Sequence, residues 1–168
     1  RSGGELPHWV GKNTLAIFSS YSGNTREVLQ SLGEASKRGV RAVAITAGGE
    51  LEKRARARKI PTLKIPSGFV PRCAIGYLTF SLLPVLDRIG LGLAGEIRRV
   101  SQSYARRLAR EIGSRYVHFY AVSGLMESAA IRWRSQFAEN AKTLSSHLWM
   151  PEMFHNEIEG WKFPKNLV

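Results

Sequence analysis

The chain has 168 residues, 43% hydrophobic and 23% charged, a balance that suits a folded protein with one sizeable core and excludes a disordered one. Its 25 Lys and Arg against 13 Asp and Glu give a formal charge of +12, which attracts anions from a phosphorylated metabolite to a polynucleotide. The single Cys73 excludes an internal disulfide, and the longest apolar stretch, Cys73 to Leu86, is too short for a membrane span and carries Pro84, so a cytoplasmic protein without membrane association is expected.

Arg1 to Asn13 reads as a lead-in loop. Leu15 to Phe18 then forms the short unbroken apolar run of a strand covered on both faces. Ser19 to Thr25 is a small-residue loop, and a helix begins at Arg26. Arg41 to Thr46 (RAVAIT) is a second strand, Gly48 and Gly49 open a turn, and a basic helix runs from Glu50 to Lys59. Its arginines lack interleaved aromatics for base stacking, so the run reads as a solvated face, and no specific nucleic-acid partner is expected. Thr62 to Ile65 is a third strand. Strand, helix and strand in short alternation imply a parallel sheet with all strand ends on one edge.

A turn-rich loop, Pro66 to Arg72 (PSGFVPR), brings Arg72 towards that edge before an apolar helix over residues 73–89. Gly90 to Gly95 (GLGLAG) reads as a linker, dividing the chain into domains 1–90 and 91–168. From Glu96 to Ile112, Val100, Tyr104, Leu108 and Ile112 recur every four residues, predicting an amphipathic helix packed on a core. Tyr116 to Val122 is a fourth strand, and a helix is expected from Glu127 to Lys142. No strand is expected beyond it, which leaves the second half with one strand.

The loop after the first strand has the makings of an anion site. A helix N-terminus offers unpaired amides and a partial positive charge, and the hydroxyls of Ser20, Ser22 and Thr25 add donors. A plainer alternative is that Asn24 or Thr25 caps the helix and the serines make a turn. The residues S-Y-S-G-N-T after an apolar strand resemble the phosphosugar-binding loop of sugar isomerase (SIS) domains.

Aldose-ketose isomerisation requires a carboxylate base, a group that opens the sugar ring and a cation for the enediolate. Glu139, in QFAENAK, is a candidate base if partly buried, or else an exposed glutamate paired with Lys142. His155 offers an imidazole for acid-base work, and Arg72 carries a permanent charge; plainer roles are a surface histidine and an arginine bound to a carbonyl. Glu152 and Glu157 are further carboxylates. His147 and His155 lack metal-ligand spacing, so no metal is expected.

SYSGNT at Ser20 to Thr25, TAGG at Thr46 to Gly49, PSGFVPR, FAENAK and PEMFHNEIEGW at Pro151 to Trp161 together resemble the bifunctional phosphoglucose/phosphomannose isomerase family, in order and spacing. The resemblance implies an α/β fold, a parallel sheet with helices on both faces (SIS-type, flavodoxin-like), followed by an incomplete second SIS-like half. The family's first strand with its Gly-Ser loop, and its last strands with a lysine and a threonine, have no counterpart in these 168 residues. The resemblance further implies interconversion of glucose 6-phosphate and mannose 6-phosphate with fructose 6-phosphate through a cis-enediol, without metal or organic cofactor. Ser20, Ser22 and Thr25 would bind the sugar phosphate, Glu139 would shuttle the proton, Arg72 would stabilise the enediolate and His155 would assist ring opening, reaching the neighbouring subunit of a homodimer. A non-catalytic sugar-phosphate-binding module is the alternative, because a phosphate loop also serves sensing.

Overall fold

Three apolar runs build the first sheet. Leu15–Ser19 forms β1, Arg41–Thr46 forms β2 and Thr62–Lys64 forms β3, parallel in the order β1-β2-β3. Ile17 stands opposite Val43, and Ile45 opposite Leu63. The crossovers are α1 (Arg26–Lys37) and α2 (Gly49–Ala57). In the computed structural model, which describes residues 4–92 and 100–162, the chain divides into two compact units, Arg1–Glu96 and Ile97–Val168.

Successive strand side chains point to opposite faces, and both faces of the first sheet are covered. On one, Phe18 and Ala44 pack with Leu32 and Ala35 of α1 and with Leu51 and Ala55 of α2. On the other, Ile45 packs with Tyr21, Ile65 and Ala74, joined by the half-buried Leu78 and Leu82. Burying a side chain such as Leu32, Ile45 or Leu51 completely contributes about 1.5–3 kcal/mol each.

The single helix expected over residues 73–89 is interrupted. A 3₁₀ turn at Pro71–Cys73 leads to α3 (Ile75–Phe80), and after Ser81 and Leu82 the chain starts again as α4 (Leu83–Arg88). Pro84 has no amide hydrogen to donate back into a continuous helix, so it stands in the first turn of α4, where none is required.

In the second unit, Ser101 caps α5 (Gln102–Ile112), its hydroxyl accepting the Tyr104 amide at 3.1 Å. The helix expected from Glu96 therefore begins later; residues 93–99, with most of the expected linker, lie outside the described residues. The predicted apolar stripe does not enter a core: Val100 is 69%, Tyr104 50% and Leu108 41% exposed.

β4 (Val117–Val122), α6 (Leu125–Gln136) and β5 (Ser145–Met150) follow, with β4 and β5 parallel and His118 opposite Ser146. β5 corrects the expectation of no strand beyond Lys142. Its SSHLWM side chains are mixed in character, and the ladder of β4 supplies the backbone partners that its local sequence does not advertise. The helix expected to continue to Lys142 stops at Gln136; Phe137–Ala141 form a π-helical turn and Lys142 leaves it at φ +57°. Phe137 meets Phe119 of β4 edge-on at 5.4 Å between ring centroids. A 3₁₀ turn at Glu152–His155 and α7 (Glu157–Gly160) follow. Among the described residues, no helix is long and apolar enough to cross a membrane.

Candidate functional site

The loop between β1 and α1 is shaped by its own small residues. Ser20 is buried, its backbone amide donating to the Ile45 carbonyl at 3.1 Å, which continues the β1–β2 pairing one residue past the strand. Its hydroxyl lies 2.8 Å from the Thr25 hydroxyl and accepts the Gly23 amide at 3.1 Å. Thr25 occupies the N-cap position of α1, yet its side chain caps no amide of that helix. The plain helix-capping alternative therefore does not describe Thr25. Its hydroxyl stands against that of Ser20, at a helix end that favours an anion. Ser22 is exposed, and its hydroxyl accepts the Asn24 amide at 3.2 Å.

The loop is latched to the next one. The Gly23 carbonyl accepts the Leu51 amide at 2.8 Å, the Asn24 side-chain oxygen accepts the Glu50 amide at 3.0 Å, and the Tyr21 carbonyl accepts the Ala47 amide at 3.1 Å. Asn24 thus caps α2 and not its own helix. Thr46, fully buried, turns its hydroxyl to the Gly48 carbonyl at 2.8 Å. The TAGG turn and the SYSGNT loop form one rigid edge at the ends of β1 and β2. Ligands of parallel α/β sheets gather at such an edge.

The arch from β3 to α3 joins the same edge. The Tyr21 hydroxyl accepts the Phe69 amide at 2.7 Å, three residues before the half-buried Arg72 in its 3₁₀ turn. The sequence points to neither the Tyr21 contact with Phe69 nor the Asn24 contact with α2; an aromatic amid serines and glycines is its one sign of the first.

Glu139 and His155 belong to the second unit. Glu139 lies in the π-helical turn and is exposed, not partly buried as the raised-pKa reading required. Lys142 donates to the Glu139 backbone carbonyl at 2.7 Å, which replaces the expected pairing with its carboxylate. π-helical turns inside helices occur frequently at functional sites. His155 ends the 3₁₀ turn and is exposed. The segment after it is tied to β4: Glu157 Oε2 faces His118 Nε2 at 3.5 Å, and Trp161 Nε1 donates to the Tyr120 hydroxyl at 2.6 Å. On its other side, His118 Nδ1 is 2.5 Å from the Ser146 hydroxyl. Burial, with a smaller effect of Glu157, raises the Tyr120 phenol above its ordinary value.

Comparison with known proteins agrees with these elements. Residues 101–168 match the bacterial phospho-glucose isomerase C-terminal SIS domain. The chain is 33% identical over 182 aligned residues to the bifunctional phosphoglucose/phosphomannose isomerase of Caldicellulosiruptor bescii, covering 97% of this chain and 54% of that protein. It is 37% identical to the protein of the same name from Thermoplasma acidophilum, covering 90% of this chain and 50% of that one. In structure it resembles glucosamine-6-phosphate deaminase from Thermotoga maritima, with a TM-score of 0.63 at 19% identity over 97% of this chain and 51% of that one. That likeness supports the α/β, SIS-type fold. The chain spans about half the length of the curated relatives it matches, and over that half it is similar to the bifunctional phosphoglucose/phosphomannose isomerases.

Proposed function

We propose that the protein carrying this chain is an aldose-ketose isomerase interconverting glucose 6-phosphate and mannose 6-phosphate with fructose 6-phosphate through a cis-enediol. The observation that carries this reading is the pair of hydroxyls, Ser20 and Thr25, 2.8 Å apart at the N-terminus of α1, where Thr25 caps nothing. With Ser22 they bind the substrate phosphate. Phosphate binding leaves the sugar carbons to the other groups: Glu139 moves the proton between C1 and C2, Arg72 neutralises the oxygen charge of the enediolate, and His155 assists ring opening.

The reading places these groups in a homodimer with shared sites, each His155 serving the Glu139 of the neighbouring subunit. Exposure of both side chains supports it, since neither is engaged in a core of its own unit. The same exposure favours a second reading, a sugar-phosphate-binding module without catalysis.

A coupled assay of the complete gene product, with EDTA present, separates the two. Isomerisation of hexose 6-phosphates is expected, and a folded protein that binds them without turnover overturns the catalytic reading. Mixing Glu139→Gln and His155→Ala proteins under conditions of subunit exchange tests the sharing. Restoration of about a quarter of normal activity is expected from the heterodimers. No restoration despite exchange would assign both groups to one subunit's site.

A further inference from the structure

We propose that Tyr21 is a positioning residue for Arg72, its hydroxyl holding the arch over residues 69–74 in the shape that presents the guanidinium to the reacting sugar. The inference rests on the functional reading above and assigns a role to a side chain which that reading leaves unused.

The arch is held at two points, and both lead to Tyr21. At its start, the Phe69 amide donates to the Tyr21 hydroxyl at 2.7 Å. At its end, Ala74, 0% exposed, packs in the same cluster as the Tyr21 ring, with Ile45 and Ile65. Between these points the chain closes on itself, Cys73 donating to the Val70 carbonyl at 2.9 Å and Ala74 to the Pro71 carbonyl at 3.1 Å. Arg72 sits inside this short, doubly anchored turn, with Pro71 fixing the backbone immediately before it.

Tyr21 is itself held by the phosphate loop. Its carbonyl accepts the Ala47 amide at 3.1 Å, and it lies between Ser20 and Ser22. One residue therefore links the loop assigned to the phosphate with the arch that carries the cation, across 48 positions of sequence. A phenylalanine would fill the same apolar cluster but leave the Phe69 amide without this acceptor. Arg72 would keep its charge and lose part of its aim. Small displacements of a charge-stabilising group reduce rate far more than ground-state binding.

The test uses the complete gene product with Tyr21→Phe. Expected are a fall of about tenfold in kcat, inorganic phosphate inhibition unchanged within about twofold, and faster amide exchange at Phe69. Phe69→Pro, which removes the donor instead of the acceptor, should reproduce the kcat loss. In an Arg72→Ala background, Tyr21→Phe should cost less than about twofold, because the two residues act as one unit. The proposal is overturned if Tyr21→Phe keeps its kcat, if phosphate inhibition weakens in parallel with kcat, or if the loss is undiminished without Arg72. A folded unsubstituted protein that isomerises nothing overturns the functional reading instead, and the role of Tyr21 falls with it.

Discussion

Gly23 and Gly48 approach so closely that a Cβ built on Gly23 would lie 1.8 Å from the Gly48 carbonyl oxygen. Gly23 also has φ +69°, a region that side chains disfavour. The two loops can share one edge only because Gly23 on one and Gly49 on the other carry no side chain, a Cβ on Gly49 lying 2.2 Å from the Ser22 carbonyl oxygen.

Gly23→Ala should accordingly destabilise the protein by about 3 kcal/mol, through clash and backbone strain together. Gly33, in the middle of α1 with open space around its Cβ position, is the control. Gly33→Ala should stabilise by roughly 0.5–1 kcal/mol, since alanine is the better helix former. Urea unfolding of the two variants measures both, and a Gly23→Ala midpoint equal to that of the parent would contradict the close approach.

Removal of the hydroxyl pair by Ser20→Ala with Thr25→Ala should weaken inorganic phosphate binding by roughly tenfold or more, about 1.5 kcal/mol or above for hydrogen bonds to a charged group. Turnover should fall as well, through lost positioning. Titration calorimetry with inorganic phosphate checks this. Unchanged affinity would return the loop to a purely structural role.

Glu139→Gln keeps the size of the side chain and cannot accept a proton. In the complete protein its rate should drop by about a hundredfold or more while fructose 6-phosphate still binds. Exchange of solvent deuterium into C2 should slow in step. If exchange continues at the original rate, the base is another carboxylate. Glu157 is then a poor replacement, because it faces His118 at 3.5 Å.

Acid should act on the lead-in segment through Glu34. The Leu6 amide donates to its carboxylate at 2.8 Å and holds its pKa below the ordinary value; burial opposes this, and Arg38 reinforces it. A carboxylate whose folded pKa is depressed contributes stability that is complete above its unfolded pKa and disappears as pH falls through the folded one. Glu34→Gln should therefore be less stable than the parent at neutral pH, with a gap that closes below about pH 4. Urea midpoints of the two proteins across that range provide the measurement. A gap constant with pH would mean that the carboxylate charge contributes nothing.

The first unit was largely legible because its signals are local. LAIFS, RAVAIT and TLK are apolar runs buried by helices on both faces, and such runs announce themselves without reference to anything distant. The break at Ser81 and Leu82 was foreshadowed by Pro84, but the apolar character of both flanking segments concealed it. β5 was not legible, since SSHLWM acquires its strand character from pairing with β4, across α6.

The same division holds at the site. Hydroxyls at a strand end followed by a helix were visible as residue types in a row, so the loop proposed to hold the phosphate could be picked out from Ser20, Ser22 and Thr25 alone. The sequence by itself also determined the order of strand, loop and helix that sends three strand ends to one edge. Only the tertiary structure decided that Thr25 turns to Ser20 and away from its helix, that Asn24 caps α2, that Glu139 is exposed in a π-helical turn, and that Tyr21 reaches Phe69. A hydroxyl or amide will accept any partner of suitable geometry, and side-chain chemistry does not state which is near. The choice is made when packing of the sheet faces brings one backbone amide, and not another, within hydrogen-bond reach.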